Sequence, residues 1–155
     1  MKIHRVIIPI LISISLGYFF GKLMFNLYEN RTLPVVQTNE NVYFLQSGVY
    51  SSYDSMINNC AKQSNYVYLV EEGRYHVFVA ITKNEKLLEK LKDFFIKKGN
   101  NIYVKEYGVS NMEFLELLNQ YDKLLEYSND DDSIRAITKQ VLSNYEEVVG
   151  SEGDG

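Results

Sequence analysis

The side chains here that could do chemistry are aromatic rings and hydrogen-bonding groups, recurring at alternate positions of short β-branched runs. Gln46, Arg74, His76 and Lys105 can donate or accept hydrogen bonds, and Tyr66, Tyr68, Tyr75, Tyr103 and Tyr107 offer ring faces. Such a set suits recognition of a flat, hydroxyl-rich partner such as a sugar chain, which stacks on rings and accepts from Arg, His and Lys. Nothing in it spells catalysis. The two histidines, His4 and His76, are far apart, and no Gly-rich phosphate loop, His-Glu-x-x-His motif or nucleophile elbow occurs. We therefore expect no enzyme activity, no cofactor and no metal. Cys60 falls on the apolar stripe of a helix and reads as a small buried hydrophobe; as a lone cysteine it builds neither an internal disulfide nor a thiol metal site. Asp130–Asp132 lacks the spacing and glycine of a calcium loop and reads as a solvated helix cap.

The elements that must position these groups lie between residues 42 and 109. Val42–Tyr50, Tyr66–Val70, Tyr75–Ile81 and Ile102–Tyr107 read as strands, and Ser52–Gln63 and Glu85–Lys98 as helices. The first helix has Tyr53, Met56, Ile57, Cys60 and Ala61 on one stripe, with Ser51 or Ser52 as its cap. The second has Leu87, Leu88, Leu91, Phe94 and Phe95, a Thr82-x-x-Glu85 capping box, and Gly99 to end it. Glu71-Glu72-Gly73-Arg74 predicts a tight hairpin. Alternation assigns Val67, Leu69, Val77, Val79, Ile102 and Val104 to the face that meets the two helices. The other face carries Tyr66, Tyr68, Arg74, His76, Phe78, Tyr103, Lys105 and Tyr107, joined by Phe44 and Gln46 unless a bulge near Gly48 changes the phase. That face is either an open binding platform or the floor on which the C-terminal helices rest.

Composition narrows the partners. Thirteen Tyr, eight Phe and no Trp in 155 residues are more rings than a core this size needs, so some should lie on a binding surface. Lys2, Arg5 and Lys22 lie at or inside the N-terminal apolar stretch, and every acid comes after it. The remainder thus carries 13 bases against 20 acids. An acidic outer region argues against nucleic acid and against anionic lipid headgroups.

Residues 1–5 read as a short cytoplasmic N-terminus and 6–27 as a retained transmembrane helix. Val6–Leu27 would span about 33 Å, enough for a bilayer core of about 30 Å. Lys2 and Arg5 put the N-terminus inside and the rest outside, as a single-pass protein of the cell membrane. Residues 28–41 read as a linker with Pro34. Residues 110–150 read as a helical hairpin: Ser110-x-x-Glu113 predicts a capping box, and Asp131 or Asp132 a second cap. The stripes are Phe114, Leu117, Leu118, Tyr121, Leu124 and Leu125, then Ile134, Ile137, Val141, Tyr145 and Val148. They need a partner surface: each other, the sheet, or another protein. Residues 151–155 read as a frayed tail.

The stretch Tyr43-Phe44-Leu45-Gln46-Ser47-Gly48-Val49-Tyr50, followed by a helix, resembles the first strand of the SPOR (sporulation-related repeat) domain: aromatic, aliphatic, Gln, any residue, Gly, small, aromatic. Gly73-Arg74-Tyr75-His76-Val77-Phe78-Val79 is similar to the family's second half. The resemblance covers residues 42–109. It implies an α+β, ferredoxin-like βαββαβ domain, tethered to a bacterial membrane and binding peptidoglycan glycan strands through a sheet face. Carried over, Gln46 matches the family's Gln and Gly48 its Gly. Val49 stands where Ser is common, His76 where Arg is common, Arg74 where an aromatic is common, and Ala80-Ile81 where Gly-Pro is usual. Tyr66, Tyr68 or Tyr75 would supply the missing ring. The expected glycan-binding residues are Gln46, Val49, Tyr66, Tyr68, Arg74, Tyr75 and His76. The expected function is envelope-associated glycan binding, as in division or sporulation. The rival expectation is a protein-interaction module of a membrane complex that has the same fold, binds no glycan and docks through its C-terminal helices.

Overall fold

The computed structural model describes residues 39–152; the predicted membrane helix over 6–27 lies outside them. Among the described residues no helix is long and apolar enough to cross a membrane. Four strands, β1 (Glu40–Tyr50), β2 (Val67–Glu71), β3 (Arg74–Thr82) and β4 (Tyr103–Val109), alternate with α1 (Tyr53–Cys60) and α2 (Leu88–Lys97), and α3 (Met112–Tyr127) and α4 (Asp131–Glu152) follow. The strands form one antiparallel sheet in the order β2–β3–β1–β4. The described residues are therefore α+β, with a four-stranded antiparallel sheet and four helices.

Local chemistry sets the boundaries. Ser52 caps α1, its hydroxyl accepting from the Ser55 N–H at 3.2 Å. Glu72 (φ 51°) and Gly73 (φ 74°) form a two-residue turn with both central φ positive, whose twist matches that of the strands it joins. Gly99 (φ 88°) ends α2. Three predicted caps shift by a residue or more. Asn84, not Thr82, accepts from the Lys86 N–H at the turn before α2. Asn111 caps α3 through the Phe114 N–H at 2.9 Å, where Ser110 was expected. Asp130, not Asp131 or Asp132, accepts from the Ser133 N–H before α4 at 2.8 Å.

The sheet has no open platform of the predicted kind. Phe44 and Phe78 are fully buried under α3 and α4, in one cluster with Val42, Val67, Ile81, Phe114, Leu118 and Val141. Tyr107 and Tyr145 pack their rings edge-on to Phe44, at 4.9 and 5.4 Å between centroids. The C-terminal helices thus rest on the sheet. Burying Phe114, Leu115, Leu118 and Leu125 contributes about 1.5–3 kcal/mol each, a sum comparable with the about 5–15 kcal/mol net stability of a whole domain. The described residues accordingly form one compact unit.

Two departures from alternation explain the burial pattern. The register between β1 and β3 shifts between Leu45 and Gln46 and again between Gln46 and Gly48. The first shift leaves Val79 and Ala80 both in the cluster under α2, with Leu45, Leu87, Leu91 and Phe94, while Phe78 and Ile81 both meet the C-terminal helices. The predicted phase of β2 is inverted. Val67 pairs with Phe78 and Leu69 with His76, so both lie under α4, while Tyr68 pairs with Val77 and lies on the α1 side.

β2 stops opposite Phe78, so among the described residues the far half of β3 has no strand on its outer side, and the α3–α4 hairpin closes against it. Asp122, buried in α3, accepts from the Thr82 hydroxyl at 2.7 Å and the Lys83 N–H at 3.0 Å. Lys90 of α2 donates to the Leu125 and Ser128 carbonyls at the end of α3, and Lys98 pairs with Asp131 at 2.9 Å. At the other end of β1, Glu40 pairs with Lys83.

Candidate functional site

The seven expected ligand-binding residues divide between the two sides of the sheet. Gln46, Val49, Arg74 and His76 share the face of α3 and α4, at the end those helices leave uncovered. Tyr66, Tyr68 and Tyr75 pack on the α1 side.

Gln46 and His76 of the first group belong to a polar cluster drawing on every strand. His76 Nδ1 lies 3.0 Å from Gln46 Oε1 and 3.1 Å from Lys105 Nζ. The Glu71 carboxylate faces Lys105 Nζ at 3.5 Å and His76 Nε2 at 3.8 Å. His76 Nδ1 thus sits between an amide oxygen, which only accepts, and an ammonium, which only donates, so the tautomer of the ring decides which of the two contacts is a hydrogen bond. The Tyr107 hydroxyl is buried beside Glu71 without a hydrogen bond of good geometry. Burial first, and the neighbouring carboxylate second, push that phenol's pKa far up. In return the phenol, then Lys105 and His76, hold the Glu71 carboxyl below its usual range. Gln46 is only 7% exposed, so it offers little to a ligand. What remains reachable is Val49, Arg74, Lys105 and, paired with Gln46 across the strands, Tyr103 at 65% exposure.

The second group forms an aromatic patch. Tyr53 of α1, Tyr68 of β2 and Tyr75 of β3 make a triangle with ring centroids 5.8–6.1 Å apart. Met56, Cys60 and Val77 lie in the core beneath this side, with Tyr50 and Tyr66 packed against them. Burial pushes the Cys60 thiol pKa up, as fits a packing residue. Tyr53 (49% exposed), Tyr68 (41%), Val70 (56%) and Ile57 stay open to solvent. Tyr66 also borders a recess of about 230 Å³ between residues 64–66 and α4.

The sequence places Tyr53 at a core position of the first helix and does not bring Glu71, Tyr103 and Lys105 into the expected site. Tyr53 opens the apolar stripe one turn before Met56, at the stripe's solvent end, and that position was its only signal. Glu71 is signalled by the hairpin, whose register stands it opposite Arg74 and diagonal to His76 on one face. Among the described residues no group of three His, Cys, Asp or Glu side chains is placed to hold a metal ion. The chain matches no model of a protein family, no curated protein and no solved structure.

Proposed function

We propose that this is a membrane-anchored, extracytoplasmic binding protein of the bacterial cell envelope rather than an enzyme. Its folded part is read as a ferredoxin-like βαββαβ domain of the SPOR kind, completed by two helices, and its ligand as a protein partner. The element order, the strand order β2–β3–β1–β4 and the hairpin between the halves support the ferredoxin-like reading. The motif around Gln46 and Gly48 supports the SPOR likeness. One observation carries the choice of ligand. The sheet face along which a glycan strand would lie has Phe44 and Phe78 buried beneath α3 and α4, while Tyr53, Ile57, Tyr68 and Val70 stand exposed on the other side.

A second reading keeps glycan binding at the uncovered end of the sheet, where exposed Tyr103 stands near Lys105, His76 and Arg74. One pair of experiments separates them. The full chain, in a neutral detergent, is sedimented with cell-wall sacculi before and after amidase removal of stem peptides. In parallel, a photo-crosslinking residue replaces Tyr68 or Tyr103 in producing cells. The protein-partner reading expects no sedimentation and a discrete crosslinked protein from position 68. Sedimentation that rises after amidase treatment and falls in Tyr103→Ala would overturn it in favour of glycan.

A further inference from the structure

Strand β2 is an edge of the sheet, with no strand on its outer side among the described residues. The two-residue turn at Glu72–Gly73 makes Glu71 and Arg74 a hydrogen-bonded pair, and bonded and non-bonded pairs alternate from there. Leu69 and Val67 therefore bond to β3. The N–H and C=O groups of Tyr68 and Val70 point the other way, to the open edge. Edge strands are commonly blunted by lysine, proline or a bulge. Val67–Glu71 contains no lysine or proline, pairs with β3 without a register shift, and leaves Val70 more than half exposed.

The side chains of those same two residues, Tyr68 and Val70, lie on the α1 face, where Tyr68 meets Tyr53 and Tyr75. Open backbone groups and an exposed aromatic patch thus coincide. A peptide paired along β2 would set its alternate side chains beside these rings, because directly opposed residues share a face. The charge around the patch selects among peptides. Asp54 follows Tyr53 and Glu72 forms the turn after β2, neither with an ion-pair partner among the described residues; of the two bases nearby, likewise unpaired there, Arg74 is on the opposite face of the sheet and Lys62 lies beyond the end of α1. Partly exposed tyrosine faces attract cations as well.

We infer that the β2 edge takes up an extended, basic segment of a partner protein as a fifth strand. Backbone pairing runs to Tyr68 and Val70, and a Lys or Arg of the segment lies over the Tyr53–Tyr68–Tyr75 rings. This rests on the protein-partner reading and names the partner's chemistry. Binding weakens with salt, since part of the attraction is between exposed charges.

The test uses the full chain in a neutral detergent and three seven-residue probes. One alternates Lys and Val, the second alternates Glu and Val, and the third is the Lys/Val peptide N-methylated on alternate amides to remove its donors on one edge. Affinity is read by fluorescence anisotropy, and the site by hydrogen exchange of individual amides. The Lys/Val probe should bind at least tenfold more tightly than the Glu/Val probe and at least fivefold more tightly than its N-methylated form. It should slow exchange at Tyr68 and Val70. Tyr68→Ala should weaken it about three- to tenfold. Equal affinity for the Lys and Glu probes, no cost of N-methylation, or protection away from β2 would each overturn the inference. If the probes fail while the crosslink from position 68 persists, strand addition falls and the protein-partner reading stands; if both fail, both fall.

Discussion

Leu118→Ala tests whether the C-terminal helices belong to the fold or merely follow it. Leu118 is fully buried in α3, in the cluster of Phe44, Phe78 and Val141. Buried Leu→Ala changes cost about 2–5 kcal/mol, the higher values where the surroundings cannot collapse into the space. Here the sheet lies on one side and α4 on the other, and Asp122 pins the next turn of α3 to Thr82 and Lys83. A cost of about 3–5 kcal/mol follows, or roughly 12–20 °C in Tm at about 4 °C per kcal/mol for a domain of this size. Leu124, half exposed on the same helix, is the control, with a Leu124→Ala cost below about 1 kcal/mol. Urea unfolding is followed by far-UV circular dichroism and by tyrosine fluorescence, the chain having no Trp. The two transitions should coincide, and the Leu118 variant should shift the midpoint at unchanged slope. A cost below about 1 kcal/mol, or a helical transition separate from the sheet's, would refute a shared core.

Burial raises the pKa of Asp122 above the ordinary aspartate range, although bonds from Thr82 and Lys83 pull the other way. A raised carboxyl contributes stability that is fully present below the unfolded pKa, about 3.9, and is lost as pH rises through the folded one. The urea midpoint of the native chain should therefore fall, relative to Asp122→Asn, as pH rises from about 3 to 7; a parallel pH course for both proteins would contradict this. Gly73→Val keeps the turn but forces a β-branched residue to φ near 74°, with no atom crowding the new side chain. Its cost should be backbone strain of about 1–2 kcal/mol by urea unfolding, and a neutral result would rule that strain out. Cys60, 1% exposed and with a raised thiol pKa, should react with a maleimide only on unfolding, so alkylation followed by mass should track urea concentration. Rapid labelling in buffer would place the thiol at the surface.

How much of this the sequence carried can be judged strand by strand. β1 to β4, α1 and α2, the turn at Gly73 and the burial of Cys60 followed from periodicity and turn chemistry, which are local. The faces did not. Alternation tells a buried side from a wet one, but this sheet is covered on both sides and both faces are apolar. β2 was phased by putting Val67 and Leu69 toward the helices and the tyrosines outward, yet tyrosine is amphipathic. Tyr68 packs a ring against Tyr53 and Tyr75 while remaining partly wet. The sequence leaves a bulge near Gly48 open as an alternative, and the register does shift there. The other shift, between Leu45 and Gln46, leaves no signal in a run as uniformly apolar as Val77–Ile81. The polar cluster was half readable: Gln46 and His76 were chosen for their chemistry and do meet, whereas Glu71, diagonal to His76 across the hairpin, was not drawn in.

The short β2 has a consequence for the newborn chain. Val79–Thr82 gains its outer cover from α3 and α4, and Asp122 follows Thr82 by 40 residues. At about 5–20 residues per second of synthesis, Asp122 is made roughly 2–8 s after Thr82, and until then nothing covers that flank or Phe44 and Phe78. The lysines at 83, 86, 90 and 92 are made during that interval, directly after the bare flank. A chain stopped before Met112 would keep this greasy flank permanently, and its natural fate is to find the same flank on another unfinished copy.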